Sequence, residues 1–319
     1  MMLIYFGILG LAKNSTAAVL FHESFEDTNF TSRGWYDVTG GATTGDHVDG
    51  VSAFDCRFLQ GGNGCANGGP GRHLFDVTDT VYLSYYVKYS SNYVGSGLGY
   101  HPHELYLLTN KDDAWIGPAG THLTMYVERN YQHPRLAMQD MLNVDTHCIR
   151  RNDGSWSGVS GCSASYPFTE SRSVASCNGI AGDSGIGDCF QWDATNWYSA
   201  RLWDATINCF SNSGQYNQNS WNHVEVYFKM NSIQNGIGIA DGEMKYRFNG
   251  ETIINYTHIL YRTGANADMK FNQLIIGPYI GDGSPVDQRM WIDNLTVANA
   301  DVPSSDTTPP AAPSGLSVL

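Results

Sequence analysis

Charge is scarce in this chain, and positive charge is scarcest. Of 319 residues only 15% are charged, and 18 Lys plus Arg stand against 31 Asp plus Glu, a formal net charge of −13. That balance argues against nucleic acid and anionic membranes as partners. It leaves room for a locally basic cleft. No segment approaches the run of about 20 apolar residues that spans a bilayer. No CxxC pair occurs, which removes the usual zinc–thiolate site. Helical periodicity never holds beyond a couple of turns, and no internal repeat is evident.

What is present is turn and strand chemistry. Thirty-five glycines and 13% aromatics favour short strands joined by many turns, and 42% hydrophobic residues suffice for a core. Residues 1–18 read as a signal peptide, apolar from Met1 to Leu11 and ending in the small residues Asn14-Ser-Thr-Ala-Ala18. Export to an extracellular or periplasmic space follows, and seven cysteines fit an oxidising compartment. Cys56 and Cys65 flank a glycine-rich loop and are expected to pair. Cys148, Cys162, Cys177, Cys189 and Cys209 crowd the middle of the chain, where two bridges would leave one thiol over. Residues 19–300 form the expected globular domain. From Asp301 a Pro/Ser/Thr-rich linker leads to Thr308-Pro-Pro-Ala-Ala-Pro-Ser-Gly-Leu-Ser-Val-Leu319, which resembles the start of a fibronectin type III module.

Alternation with a period of two marks the strands. In Val81-Tyr-Leu-Ser-Tyr-Tyr-Val-Lys-Tyr89, Leu83, Tyr85, Val87 and Tyr89 share one face, while Tyr82, Ser84, Tyr86 and Lys88 share the other. Trp221 to Lys229 places Val224, Val226 and Phe228 opposite Glu225, Tyr227 and Lys229, and Lys245 and Arg247 alternate with Met244, Tyr246 and Phe248. Further strands are expected over 103–108, 121–128, 135–140 and from Trp197. Residues 141–196 read as a long loop insertion of the kind that walls a site. An all-β antiparallel β-sandwich follows.

The series Trp221 to Lys229, Asp241-Gly-Glu-Met-Lys-Tyr-Arg-Phe-Asn-Gly-Glu251, Ile259-Leu-Tyr-Arg-Thr263 and Phe271 to Val297 resembles the C-terminal half of concanavalin-like jelly-roll polysaccharide lyases of the alginate and glucuronan type. Val81 to Lys88 resembles an earlier strand of the same group. The resemblance implies a jelly-roll fold and cleavage of a uronate-containing polysaccharide by β-elimination. The group's lysine-bearing segment should follow Lys88, but that region reads Gly97-Leu-Gly-Tyr-His-Pro-His-Glu104. Its R-S/T-E and Q-I/V-H signatures are absent, as is the E-x-D-x-E of laminarinase-like hydrolases, so fold transfers better than reaction.

Elimination from a uronate needs a cation or amide at the carboxylate, a base for the C5 proton and an acid for the leaving oxygen. Thr121 to Glu128 places His122, Thr124, Tyr126 and Glu128 on one face, and the next strand adds Arg135 and Gln139. A polar stripe of this kind is costly unless a cleft solvates it; the alternative is an exposed outer face. His103, His122, Tyr126, Arg135 and Gln139 are therefore the expected catalytic residues. Glu104, Glu128, Lys88, Tyr227, Lys229 and Arg247 are expected to contact substrate, against a plain alternative of cross-strand charge pairing. His101, His103 and His122 suggest a metal only weakly, and the chemistry needs no cofactor. Trp115, Trp156, Trp192, Trp197 and Trp203 lie in or beside loops, where exposed rings stack on sugars. Glu23 and Asp293, with Glu26 and Asp27, are candidate ligands of a structural calcium, against hydrogen-bonded caps and turns. A polysaccharide lyase leads; a non-catalytic carbohydrate-binding module and a glycoside hydrolase using Glu128 with Glu104 or Glu225 are the alternatives.

Overall fold

The computed structural model describes residues 18–98, 102–118, 121–130, 133–139, 148–150, 156–158, 202–204, 218–239, 241–259, 261–262 and 264–302. The strands are β1 (Val19–Glu23), β2 (Trp35–Tyr36), β3 (Thr43–Thr44), β4 (Ala53–Phe58), β5 (Gly71–Thr78), β6 (Thr80–Tyr89), β7 (His103–Thr109), β8 (Thr124–Asn130), β9 (His133–Gln139), β10 (Cys148–Arg150), β11 (Trp156–Gly158), β12 (Leu202–Asp204), β13 (Asn222–Lys229), β14 (Ile233–Gln234), β15 (Ile237–Gly238), β16 (Gly242–Phe248), β17 (Glu251–Ile259), β18 (Phe271–Tyr279) and β19 (Gln288–Ala298). Two antiparallel sheets carry the fold. One runs β17-β16-β13-β6-β19-β4-β3 with β1 added on β19, and the other runs β12-β9-β8-β7-β18-β5-β2.

The expected alternation decides which side chains enter the sandwich. Leu83, Val87, Val224, Val226 and Phe228 from the first sheet meet Leu105, Leu107, Met125, Val127, Leu136 and Met138 from the second in one buried cluster. Each such side chain contributes about 1.5–3 kcal/mol by leaving water. Register is strongly specified here, because a one-residue slip would turn every one of them outward. Cys56 and Cys65 form a disulfide as expected. Residues 1–17 of the expected signal peptide, the segment expected to begin a fibronectin-like module, His101, Trp192, Trp197, Cys162, Cys177, Cys189 and Cys209 lie outside the described residues.

The first and last strands pair, β1 on β19, and the carboxylates offered there as calcium ligands accept protein donors. Glu23 accepts Arg33 Nε at 2.9 Å, Trp35 Nε1 at 2.8 Å and the Phe25 N–H at 2.8 Å. Asp293 accepts the N–H groups of Val48, Asp49 and Asn294. Among the described residues no group of three His, Cys, Asp or Glu side chains is placed to hold a metal ion. Caps and turns use these oxygens.

Candidate active site

A single row of residues crosses the outer face of the seven-stranded sheet. Register pairs Tyr36 with Arg72, Arg72 with Ile275, Ile275 with Tyr106, Tyr106 with Tyr126 and Tyr126 with Ala137. Strands lie about 4.8 Å apart, so Tyr36 to Tyr126 spans roughly 19 Å. Tyr106, Tyr126, Ala137 and Ile275 pack as a cluster separate from the core.

At the head of β7 the pattern of alternation breaks. Opposite it, β18 takes three steps from Ile276 to Tyr279 while β7 takes two from Leu105 to His103, a bulge that sets Tyr279 against His103. Bulges of this kind re-aim side chains next to sites. His103 turns to the outer cluster: its ring lies 4.7 Å from that of Tyr126 and 6.0 Å from that of Tyr106. His103 Nδ1 is 2.5 Å from Glu128 Oε2. Arg135 Nη1 stands 3.9 Å from Glu128 Oε1. A carboxylate that accepts from Nδ1–H leaves the basic lone pair of the neutral ring on Nε2. All five side chains are buried, and Tyr126 is only 3% exposed.

Beside them is a cavity of about 310 Å³, lined by Asp37, Cys65, Arg72, Ile275, Gly277 and Tyr279 among others. Tyr279 is 44% exposed. Arg72 is held by Asp37 Oδ2 at 2.8 Å, the Ile116 carbonyl at 2.8 Å and Gln273 Oε1 at 3.0 Å. Tyr106 donates its hydroxyl to the Gly277 carbonyl at 3.0 Å, tying the bulge to the row. Gly71, at φ +80°, lines the cavity where a Cβ would come within 2.6 Å of the Tyr36 and Asp37 carbonyl oxygens, so only glycine fits the approach of β2.

Glu104, expected at the substrate, faces the interior. Both its oxygens accept the Tyr89 hydroxyl at 2.8 Å. Burial pushes its carboxyl up to about 8, with the nearby Glu128 charge adding to that and the Tyr89 bond and Arg129 opposing it. The guanidinium of Arg129 lies 4.5 Å above the Tyr89 ring and 4.8 Å above the Tyr93 ring.

Other expected site residues sit elsewhere. His122 precedes β8 and bonds Asp112 through its ring at 3.0 Å. Four residues from Tyr126 and six from Glu128, it is roughly 13–20 Å from them along the strand direction. Gln139 pairs with Thr124, four positions beyond the Glu128–Arg135 pair. Lys88, Tyr227, Lys229 and Arg247 belong to the opposite sheet. There Lys88 Nζ bonds Asp46 at 2.6 Å, Lys229 bonds Glu243 at 2.7 Å, and Arg247 grips Asp301 through both terminal nitrogens at 2.7 Å. Tyr227 packs beneath Lys245 Nζ, 5.0 Å from its ring centre. Alternation shows which face of a strand a residue takes but not which sheet the strand joins; Lys229 and Glu243 pair across β13 and β16, while Lys88 and Arg247 bond carboxylates that lie outside the strands.

Arg72 and Tyr279 escaped sequence reasoning. A signature demanding Ser/Thr and Glu after the arginine passes over Arg72-His-Leu74, and Tyr279 follows Gly277-Pro278, which reads as a turn.

No family model matches the chain, and no curated protein matches it by sequence. Solved structures do resemble it. A marine PL-14 alginate lyase from Aplysia kurodai superposes with a TM-score of 0.50 at 11% identity, over 89% of this chain and all of that one. The alginate lyase vAL-1 from Chlorella virus gives 0.48 at 14% identity, over 87% of this chain and 100% of that one. Alginate lyase Aly36B in complex with an alginate tetrasaccharide gives 0.43 at 15%, over 89% and 93%. At 11% identity the likeness to the Aplysia kurodai structure speaks for the fold alone, a jelly-roll β-sandwich.

Proposed function

We propose that this protein is an exported polysaccharide lyase that cleaves a uronate-containing chain by β-elimination, on the face carrying His103, Tyr279 and Arg72. His103 Nε2 removes the C5 proton, and the electron pair forms the C4–C5 double bond as the C4–O bond breaks. Tyr279 gives its phenolic proton to the leaving oxygen. Arg72 offsets the uronate carboxylate, which makes the C5 proton easier to remove. Glu128 holds the ring tautomer. Tyr279 rather than Tyr126 takes the acid role, because a phenol that must reach a glycosidic oxygen has to be open to substrate.

One observation carries this reading: an imidazole oriented by a buried carboxylate stands opposite an accessible tyrosine at the edge of an arginine-lined cavity. The Cys56–Cys65 bond supports export. A hydrolase on Glu104 and Glu128 is less favoured, since Tyr89 and His103 already engage the two carboxyls.

The test is incubation with alginate, glucuronan, pectin and glycosaminoglycans, followed by the ultraviolet absorbance of unsaturated uronate. His103→Ala and Tyr279→Phe should each lose about 10²–10⁴ in turnover while binding persists. Turnover by His103→Ala at the wild-type rate refutes the mechanism. Binding by the wild type without unsaturated product assigns the protein as a carbohydrate-binding module instead.

A further inference from the structure

Trp115 is 63% exposed, on the connection between β7 and β8. A lone exposed ring needs no explanation. This one is held in place from both sides by the row that crosses the sheet. Tyr36 donates its hydroxyl to the carbonyl of Ala114 at 2.7 Å, and Arg72 Nη1 donates to the carbonyl of Ile116 at 2.8 Å. The Trp115 N–H bonds Asp113 Oδ1 at 2.8 Å. The Tyr36 ring meets the indole edge-on, centroids 4.9 Å apart and planes at 77°. Both chain neighbours of Trp115 are thus tied to Tyr36 and Arg72, and Tyr36 is followed by Asp37 in the cavity wall.

We infer that Trp115, braced by Tyr36, is a preformed platform that stacks a pyranose ring of the glycan beyond the reacting unit. The inference rests on the glycan reading given above and extends it to a subsite. Rigidity matters because the ordering cost that a mobile aromatic would pay on binding is already met. Position matters too. From Tyr106 to Tyr36 is three strand steps, roughly 14 Å, so a short oligosaccharide centred near His103 does not reach the indole. The chemistry suits an acidic polymer on an acidic protein: the contact is between an uncharged ring face and sugar C–H groups. It does not depend on the few cations available, and salt screens it little.

The experiment measures binding by calorimetry and tryptophan fluorescence, alongside turnover, on the full chain. The probes are a trisaccharide and an octasaccharide from alginate and from glucuronan, at low and high salt. Trp115→Ala should weaken the octasaccharide about tenfold and leave the trisaccharide unchanged. Trp115→Phe should restore most of the loss, and the loss should persist at high salt. If Trp115→Ala binds the octasaccharide as the wild type does while turnover continues, the platform is refuted and the lyase reading stands. Equal weakening of both lengths also refutes it, because the change then acts on the cavity wall. A wild type that neither binds nor cleaves any of these probes overturns both ideas.

Discussion

Tyr89 directs its hydroxyl at both carboxylate oxygens of Glu104, 2.8 Å from each, one residue along the chain from His103. Burial makes ionising Glu104 costly and raises its pKa from 4.5 to about 8. Between those values the folded protein holds a proton that the unfolded chain has lost, so stability falls as pH rises and levels off above about 8. Glu104→Gln removes that dependence. Denaturation midpoints of wild type and variant should therefore favour the wild type most at acidic pH, with the difference shrinking toward pH 8. Parallel profiles would show that Glu104 does not titrate this way.

Glu128→Gln tests whether the carboxylate orients His103. An amide at 2.5 Å from Nδ1 offers either a weaker acceptor or a competing donor, so the wrong tautomer gains population. Turnover should fall about a hundredfold or more with KM little changed. A rise in KM alone would mean that Glu128 contacts substrate rather than the imidazole.

The charge cluster on the opposite sheet should matter for stability and not for substrate. Burial works against ionising Asp301, yet bonds from Arg247 and Lys245 hold its carboxyl below the usual range. Its contribution is present above the ordinary carboxylate range and is lost as pH falls through the lowered value. Asp301→Asn should cost about 1–3 kcal/mol in urea denaturation at neutral pH, since it strips a buried guanidinium of its partner. Lys229→Ala, at a more exposed pair, should leave KM for the polysaccharide unchanged. A shift in that KM would restore a substrate role to this face.

Opening the Cys56–Cys65 bridge should act on both folding and the cavity. The two cysteines lie 9 residues apart, and a closed loop of that size restrains the unfolded chain by about 2–3 kcal/mol. Cys65 also lines the cavity. The Cys56→Ala, Cys65→Ala double variant should melt earlier and bind substrate more weakly, with kcat less affected than KM. An unchanged KM would separate this wall from the binding surface.

Much of the sandwich was legible in the chain. The alternation of Leu83, Tyr85, Val87 and Tyr89, and of Val224, Val226 and Phe228, reappears residue by residue in the core. Tyr126, Glu128 and Arg135 likewise share the polar face expected of them, with His103 beside them. His122 falls ahead of β8 rather than on it, and Gln139 stands at the far end of β9, four positions from Arg135. Lys88, Tyr227, Lys229 and Arg247 fall on the other sheet from His103, which the chain could not show because period-two patterning is the same in either sheet.

The pattern of polar and apolar residues by itself determined that this chain folds into two sheets, and which side of each strand is dry, because side-chain direction in a strand follows from local backbone geometry. Only the tertiary structure decided which strands became neighbours. That choice set Tyr279 opposite His103, brought Arg72 from far up the chain into the same row, and sent the basic residues of β13 and β16 to the other sheet. Pairing between distant strands depends on shared core volume and on the bulge in β18 between Ile276 and Tyr279, and neither is written in any single segment.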